Sequence, residues 1–475
     1  MMTDLAAERD QILRRMHDRL DAFVLYAEPA LLLDPMASAD ASLLVQFASR
    51  RHVDTGRPVA DREFRHSAVL LAGWFHRMRA WLLPDEEAIR ASLRTSEALF
   101  RSGGTPDDAN VPQDVAGRMD GPSGDRVPSR AEGLSGLAHV AYGLWEETGQ
   151  LEALDRAITM GRGAVEEGEP GSSAYVRDLD FLSATLRTRS QITGSGSDAE
   201  EAVEFGLRAR SAAEEADDHL FSSLHHLGLA LSHRARLAGS ADALDSAIAV
   251  HHRAIAVGIA NGVAEQGVAT AFQGLSIDLL LRYQARKDLA DLDAAVVAGT
   301  QAVTRAPEAD PAILHNLCYM LTLRAQATGD ATDLVQAIRV GQDAVDAAPL
   351  GHPERPAALN DLSVAWGFVD LDTAIELARE AVELSPDRDA RDARKATRLA
   401  NLAQQLWMRF ESDRRQEDID EAVELLDQAL GLLPRHHPKR AEVLRELAQY
   451  LDVRFHAFRR LEDLRRILDM RQAGP

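Results

Sequence analysis

The chain has 475 residues, of which 45% are hydrophobic and 27% charged, and its formal net charge is −22 at pH 7. This composition predicts a folded chain, and a surface this acidic repels phosphate backbones, which disfavours nucleic-acid binding. A single cysteine excludes a disulfide framework and a cysteine-cluster metal site. No apolar run is long enough for a membrane span, and the charged N-terminus is unlike a secretion signal, so we expect a cytoplasmic protein without membrane contact.

Residues 1–100 are predicted to form an N-terminal helical cap. Within residues 71–100, Trp74, Met78 and Trp81 share one helical face, and an Ala-Ile pair follows. The same order of features recurs further along the chain, so this segment is interpreted as a degenerate copy of a repeat. The first part of the cap is expected to be a helix pair, because the terminal face of a repeat array is otherwise exposed and apolar.

The segment 101–131 is predicted to be a flexible linker or loop. Nine of its first thirty residues are glycine or proline, and they show no apolar period. A structureless stretch of this length inside a compact array is uncommon. It is therefore interpreted as disordered, and a functional loop is the alternative.

Residues 132–475 contain about eight copies of an internal repeat, the last of them incomplete. Apolar residues stand at offsets 0, 3 and 7 of each copy, and a second motif, usually Ala followed by Ile or Val, begins at offset 23 in seven copies and at offset 15 in one. Both segments have helical periodicity, so each copy is predicted to be an all-α hairpin that buries its apolar face by stacking on its neighbours. The copies begin at Leu134, Leu179, Leu224, Phe272, Leu314, Leu359, Leu399 and Leu444.

Small residues recur at fixed positions of the repeat. Offset 4 is Ala, Ser, Gly or Cys in every copy and includes Cys318, and two alanines stand seven residues apart in the second helix of most copies. Small side chains allow two helices to approach closely. Cys318 follows His315 by three residues, as a nucleophile beside a base would. Packing is the favoured explanation, because the position is small in every copy.

The pattern resembles the tetratricopeptide repeat (TPR). Residues 359–386, LNDLSVAWGFVDLDTAIELAREAVELSP, fit the family order of large apolar and small residues in helix A, followed by two alanines and a proline in helix B. The resemblance implies a right-handed α-solenoid of TPR-like helical hairpins. Most units here are elongated, at about 42–48 residues, which corresponds to about two extra helical turns around the bend.

A narrower resemblance is to the arrays of actinobacterial TPR/CHAT-type proteins. It rests on residues 352–355 (HPER), residues 437–440 (HPKR) and the stretch RAQATGDATDLVQAI. Many of those proteins carry a CHAT domain, a caspase-like cysteine protease, after the array. This sequence is expected to lack that domain, because it stops inside the last repeat and has no Cys/His pair outside the packing pattern.

An arginine recurs at offset 10 and an acidic residue at offset 21. If the hairpin bend falls near offset 15 or 16, the two positions lie level across the hairpin, and salt bridges are predicted between them. The arginine row is interpreted as structural rather than as an anion-binding ladder. The pairs predicted are Arg234 with Asp245, Arg282 with Asp293 and Arg409 with Asp420.

No catalytic, cofactor or metal site is predicted. Histidine doublets such as His225-His226 point about 100° apart on a helix and are poor metal ligands. The glycine-containing loops lack the strand and the lysine of a phosphate-binding loop.

The side chains that flank the apolar stripe of helix A line the concave groove in TPR arrays, as the resemblance implies. Amide and aromatic groups at these positions suit an extended peptide. The lysines with which some family members bind a terminal carboxylate are absent at the corresponding first position, which disfavours chaperone-tail binding. The predicted peptide-binding groove residues are His225, His226, Gln273, His315, Asn316, Tyr319, Asn360, Asn401, Gln404 and Trp407.

The sequence therefore predicts a non-enzymatic scaffold that binds a protein or an extended peptide and regulates a separately encoded effector. A homo-oligomer formed through the solenoid ends is a further prediction. The alternative is a small-ligand sensor or an enzyme with a pocket between the N-terminal helices and the array. A deep cavity with convergent ionisable groups would favour that alternative.

Overall fold

The computed structural model describes residues 2–26, 30–49, 62–80, 86–103, 129–385, 393–434 and 437–473. These residues form 21 helices and no strand, which confirms the all-α prediction. The chain divides into two compact units, Met1–Gly239 and Ser240–Pro475. Most of the predicted linker, residues 104–128, lies outside the described residues.

The first unit contains ten helices among its described residues, and helices α6 to α10 belong to the repeats. Repeat 1 consists of α6 and α7, repeat 2 of α8 and α9, and repeat 3 begins with α10. The helices are α1 (Met2–Tyr26), α2 (Ala30–Leu33), α3 (Pro35–Ser49), α4 (Arg62–Ala80), α5 (Glu86–Gly103), α6 (Arg130–Thr148), α7 (Leu151–Glu167), α8 (Ser173–Thr193), α9 (Gly196–Ala216) and α10 (Leu220–Ala238).

The second unit begins with the second helix of repeat 3, and repeats 4 to 8 follow as five successive helix pairs. The helices are α11 (Ala241–Ala260), α12 (Glu265–Arg286), α13 (Leu289–Arg305), α14 (Pro311–Thr328), α15 (Ala331–Ala347), α16 (Arg355–Trp366), α17 (Leu371–Glu383), α18 (Ala393–Asp413), α19 (Gln416–Leu432), α20 (Pro438–Phe458) and α21 (Leu461–Ala473). In each repeat the first helix is the A helix and the second is the B helix.

Within each unit the repeats stack in chain order. Where both helices of a repeat belong to one unit, the A helix packs on its own B helix, and each B helix packs on the next A helix. The alanines of the second motif carry this packing, because Ala157, Ala202, Ala247, Ala295, Ala337, Ala374 and Ala422 are all 0% exposed. The hairpins therefore share a continuous interior within each unit, as a solenoid requires.

The N-terminal helices pack on repeat 1. Helix α1 contacts α3, α6 and α7, and α4 pairs with α5. One apolar core contains Met16 of α1, Leu44 of α3 and Phe75 of α4 together with Leu137 of α6. The end of the array at repeat 1 is therefore covered by apolar side chains from the N-terminal helices.

The bend of each long hairpin is made by a short turn. In repeat 5 the A helix ends at Gly329, which has a φ of 76° and whose N–H donates to the carbonyl of Ala325. The next residue, Asp330, caps the B helix by accepting a hydrogen bond from the Thr332 N–H. A left-handed glycine followed by an aspartate N-cap thus reverses the chain within two residues.

Repeat 6 is shorter than the others, as its spacing predicts. Its helices have 12 and 13 residues, whereas the A helices of the other repeats have 18 to 22. The loss of about two turns from the hairpin confirms that the longer units differ from residues 359–386 by additional helix around the bend.

Cys318 is a packing residue. It is 0% exposed, and a Cβ built at Gly341 of the B helix would lie 2.9 Å from its sulfur and 3.0 Å from Leu362 of the next A helix. Burial raises the pKa of the Cys318 thiol. The small side chain at offset 4 and the glycine on the facing B helix therefore allow three helices to meet at one point.

The repeated arginines form a ladder along the bend edge, but their partners differ from those predicted. Arg282 donates two hydrogen bonds to Asp291 of its own hairpin, from Nε at 2.9 Å and Nη2 at 2.5 Å, and a third at 2.7 Å to Asp245 of the preceding repeat. The same arrangement recurs as Arg189 with Asp198 and Asp155, Arg324 with Asp333 and Asp293, Arg409 with Asp418 and Asp372, and Arg454 with Asp463 and Asp420. Arg234 binds the preceding repeat's acid, Glu200, and offset 19 of its own repeat is Ala243 rather than an aspartate.

The predicted pairing of offset 10 with offset 21 inside one hairpin is therefore wrong. The partner within the hairpin stands at offset 19, and the acid at offset 21 binds the arginine of the next repeat. Two residues along a helix rotate the side chain by about 200°, so these acids face opposite sides of the B helix. The ladder is nevertheless structural, and it ties successive repeats together.

Candidate binding surface

The predicted groove residues lie on five A helices, α10 in the first unit and α12, α14, α16 and α18 in the second. We call the side of the A helices that carries them the A-helix face and describe it separately for each unit. Eight of the ten side chains are exposed or half-buried at this face. Asn360 is buried but makes hydrogen bonds to its neighbours there, whereas Trp407 is buried in the apolar core.

On the first unit, the two histidines of α10 are half-buried beside polar and aromatic neighbours. The ring of His225 is parallel to that of Phe221, with centroids 6.2 Å apart. His226 Nδ1 lies 3.9 Å from Oδ2 of Asp180, a carboxylate that also accepts a 2.9 Å hydrogen bond from Ser223. The doublet thus has two different neighbours, consistent with the divergence of adjacent helical positions.

His315 lies between two carboxylates on the second unit's A-helix face. Its Nδ1 lies 2.9 Å from Asp361 and its Nε2 lies 3.4 Å from Glu354, both contributed by repeat 6. Burial lowers the pKa of His315, but the hydrogen bonds and charges of the two carboxylates outweigh burial and raise it to about 9. His315 is therefore cationic at neutral pH and bridges repeats 5 and 6.

Amide groups extend this connection from repeat 6 to repeat 7. The side-chain amide of Asn360 donates a 2.9 Å hydrogen bond to Asp361. The side-chain oxygen of Asn360 accepts a 2.9 Å hydrogen bond from the side-chain amide of Asn401. Asn360 is buried, whereas Asn401 is half-buried. A chain of polar contacts thus crosses the A helices α14, α16 and α18.

The remaining predicted residues on this face make fewer contacts. Tyr319 accepts a 3.4 Å hydrogen bond from Gln284, which joins repeats 4 and 5, and burial raises the pKa of its phenol. Asn316 donates to the carbonyl of Ala312 in its own helix at 2.7 Å. Gln273 is half-buried, and Gln404 is exposed.

Trp407 does not belong to the accessible surface. It is 7% exposed, and its ring stacks on Tyr450 of α20 with centroids 4.3 Å apart and planes 4° apart. Both rings belong to the apolar core of repeats 7 and 8. The expectation that Trp407 contacts a ligand is corrected, because repeat 8 covers its ring.

An open pocket lies beside Asn401, between the A helices of repeats 7 and 8. It has about 450 Å³ of non-protein space, part of which is continuous with solvent. Sequence reasoning identified two of its polar residues, Asn401 and Gln404. The other polar lining residues are Thr397, Lys439, Glu442 and Glu446.

His315 and Cys318, the base and nucleophile that the sequence raised, are not arranged as an activated pair. Cys318 is buried and its thiol pKa is raised, while His315 is held by two carboxylates, so the two do not form an activated nucleophile. Within the described ranges, no group of three or more His, Cys, Asp or Glu is arranged to hold a metal ion. None of the described helices is long and apolar enough to cross a membrane.

Comparison with known proteins identifies the fold. No protein-family model matches the sequence, and no curated protein matches it. Among solved structures, the chain is similar to a monomeric mutant of IFIT1 with Gppp-AAAA, with a TM-score of 0.50 and 11% identity over 98% of this chain and 92% of that one. The chain has a TPR-like fold.

Two other similar structures are signalling proteins by name. The apo form of the quorum sensor NprR from B. thuringiensis has a TM-score of 0.47 and 12% identity, over 83% of this chain and 97% of that chain. A signal transduction ATPase with a tetratricopeptide repeat sensor from Pyrococcus horikoshii has a TM-score of 0.45 and 12% identity, over 91% and 64%. At these identities the similarity concerns the fold alone.

Proposed function

We propose that the chain is a cytoplasmic, non-enzymatic scaffold that binds a protein or an extended peptide on the A-helix face of its second unit. In this proposal the bound protein is a separately encoded effector that the array regulates. The observation that carries the proposal is the contrast between the bend edge and the A-helix face of this unit. The arginine ladder is engaged within the array, whereas the A-helix face ends in an open pocket with exposed amide and charged groups.

The chemistry of the A-helix face suits a polypeptide. Asn401 and Gln404 present amide groups beside an open pocket, and amides both donate hydrogen bonds to and accept them from a peptide backbone. His315, Asp361 and Asn360 hold the neighbouring A helices in place through mutual hydrogen bonds. A rigid surface of this kind lowers the entropic cost of binding an extended chain.

Charge argues against nucleic acid as the partner. The similar IFIT1 structure contains Gppp-AAAA, but the net charge of this chain is −22. Such a surface repels phosphates, and the pocket itself contains two glutamates and one lysine. A protein or peptide is therefore the better partner.

The alternative, an enzyme or small-ligand sensor with a pocket between the N-terminal helices and the array, has less support. Where those helices are described, their contact with repeat 1 is filled by a shared apolar core that includes Met16 and Phe75, both 0% exposed. The polar open pocket lies instead between repeats 7 and 8.

Affinity capture with the full chain as bait tests the proposal. Asn401→Ala combined with Gln404→Ala is expected to release the partner captured by the native chain, because both amides line the open pocket. The matched control is Gln428→Ala, which removes an exposed amide from the B helix α19. A partner retained by the double variant, or lost equally from the control, would overturn the assignment of the surface.

A further inference from the structure

The open pocket of the second unit has two walls of different chemistry. Helix α18 contributes the neutral polar groups of Thr397, Asn401 and Gln404, together with the side chains of Ala396 and Ala400. Helix α20 contributes charged groups, namely Lys439, Glu442 and Glu446. The three charged residues are spaced three and four positions apart, which places them on one side of the helix.

Lys439 binds the opposite wall of the pocket rather than one of the neighbouring carboxylates. Its ammonium donates a 2.9 Å hydrogen bond to the hydroxyl of Thr397 across the pocket. The pKa of Lys439 is lowered, because the effect of burial outweighs the charges of Glu442, Glu446 and Asp361, which raise it. One ammonium group thus lies in the field of three carboxylates.

Glu442 and Glu446 leave an excess of negative charge in this pocket. Burial is the main cause that raises the pKa of Glu446, and the charge of Glu442 raises it further, against the smaller opposing effects of Arg445 and Lys439. Among the described residues, neither carboxylate has a cation within salt-bridge distance, whereas the ladder acids such as Asp418 bind an arginine through both oxygens. A cation between Glu442 and Glu446 would relieve the repulsion between the two carboxylates and the cost of burying Glu446.

We propose that this pocket binds the positively charged side chain of an arginine or lysine residue in an extended peptide. The cationic group lies between Glu442 and Glu446, and the peptide backbone runs along the amides of Asn401 and Gln404. This inference rests on the proposed function and names the class of side chain that the A-helix face selects. A guanidinium group suits the site well, because it donates several hydrogen bonds in a fixed fork to carboxylates.

Removal of Lys439 tests whether the ligand is positively or negatively charged. If the ligand is a cation, Lys439 competes with it for the same carboxylates, and its removal strengthens binding. If the ligand is an anion, Lys439 is its main partner, and its removal abolishes binding. Opposite results for Lys439→Gln and Glu446→Gln therefore distinguish the charge of the ligand without knowledge of its sequence.

The experiment is calorimetric titration of the full chain with three capped peptides, Gly-Ala-X-Ala-Gly, in which X is arginine, its neutral isostere citrulline, or glutamate. The arginine peptide is expected to bind about tenfold more tightly than the citrulline peptide, as for a charge-assisted hydrogen bond. Glu442→Gln and Glu446→Gln are each expected to weaken its binding about tenfold, and Lys439→Gln to strengthen it several-fold. The control is Glu424→Gln, an exposed acid on α19, with circular dichroism confirming that each variant is folded.

Several results would overturn the proposal, among them failure of the arginine peptide to bind at millimolar concentration, tighter binding of the glutamate peptide, or weaker binding by Lys439→Gln. Affinity capture with the full chain as bait distinguishes failure of the cationic-pocket proposal from failure of the proposed function. A partner that needs Asn401 and Gln404 but tolerates Glu442→Gln combined with Glu446→Gln overturns only the cationic pocket. A partner that tolerates both double variants overturns both proposals.

Discussion

The bend edge of the array and the A-helix face of the second unit differ in how regularly their polar residues recur. At the bend edge, five arginines each bind an aspartate of their own hairpin and an acid of the preceding one. On the A-helix face, the flanking position at offset 1 differs in every repeat of the second unit, where it is Gln273, His315, Asn360, Ala400 and Arg445. Recurrence therefore marks the contacts that hold the repeats together, and variation marks the surface available for a specific partner.

The ladder itself offers the largest expected effect on stability. Arg409→Ala leaves Asp418, which is 3% exposed, as a buried carboxylate without its cation, and is expected to lower the free energy of unfolding by about 3 kcal/mol. Arg234→Ala is the matched control, because its ladder partner Glu200 is 66% exposed and its own repeat has Ala243 in place of the buried aspartate. Its cost is expected to be below about 1 kcal/mol. Equal shifts of the urea midpoint for the two variants would contradict the view that the partner within the hairpin dominates.

The A-helix face is expected to make its own, pH-dependent contribution. The folded-state pKa of His315 is raised from 6.5 to about 9, so its stabilisation is complete below pH 6.5 and is lost as the pH rises through 9. His315→Gln is expected to destabilise the protein by about 2 kcal/mol at pH 6 and by much less at pH 10. Urea unfolding across this pH range measures the difference, with the exposed His252→Gln as control. A pH-independent loss would show that the two carboxylates do not hold a charged imidazole.

The buried His251 is expected to make stability depend on pH in the opposite direction. His251 is 0% exposed, its Nε2 lies 3.4 Å from Asp278, and burial lowers its pKa to about 4. A group of this kind contributes stability above pH 6.5 that is lost as the pH falls through 4. The unfolding midpoint of the native chain is therefore expected to decline on both sides of neutrality, and His315→Gln is expected to remove only part of the alkaline decline.

Cys318 sharpens the distinction between packing and chemistry. Cys318→Ala is expected to cost about 1 kcal/mol, because it removes one buried sulfur, whereas Cys318→Leu is expected to cost about 2 kcal/mol by overpacking against Gly341. The thiol should react with Ellman's reagent only at the rate of unfolding. Rapid modification of the folded chain would contradict its burial.

The variant that tests the predicted homo-oligomer is expected to change stability the least. Leu464 and Leu468 of α21 are 38% and 47% exposed, whereas Leu292 and Val296 occupy the same offsets of repeat 4 at 0% and 4% exposure. Leu468→Glu should leave the unfolding midpoint nearly unchanged, since the side chain is already partly in water. If the chain associates through α21, the variant is expected to be smaller than the native chain in light scattering after gel filtration. The exposed Val335→Glu is the control, and an unchanged mass would remove α21 from any such interface.

The sequence predicted the fold well because the fold depends on recurring features. Offset 4 is buried in seven repeats and half-buried in the eighth, at Ala448, and all seven alanines of the second motif are fully buried. The short spacing of repeat 6 correctly predicted its short helices. The ladder was placed two residues away from its true partner within the hairpin, because the prediction compared positions along the helix axes and ignored the direction of the side chains around them.

The candidate surface was predicted less well because it does not recur. Transfer of TPR offsets included Trp407, which a non-recurring contact, Tyr450, removes from solvent. It missed Lys439 and Glu442 because they stand five and two residues before the first apolar position of their repeat. It missed Glu446, which occupies a flanking position at offset 2, because only residues of the earlier repeats were selected. Only the contact between α18 and α20 brings these groups to Asn401 and Gln404.

Hydrogen–deuterium exchange of the full chain, with and without its captured partner, tests the central claim most directly. We expect the partner to slow exchange in the A helices α14, α16, α18 and α20 and to leave the B helices α13, α15 and α19 at their free rates. Protection confined to the B helices or to the bend edge would contradict the assignment of the A-helix face as the binding surface.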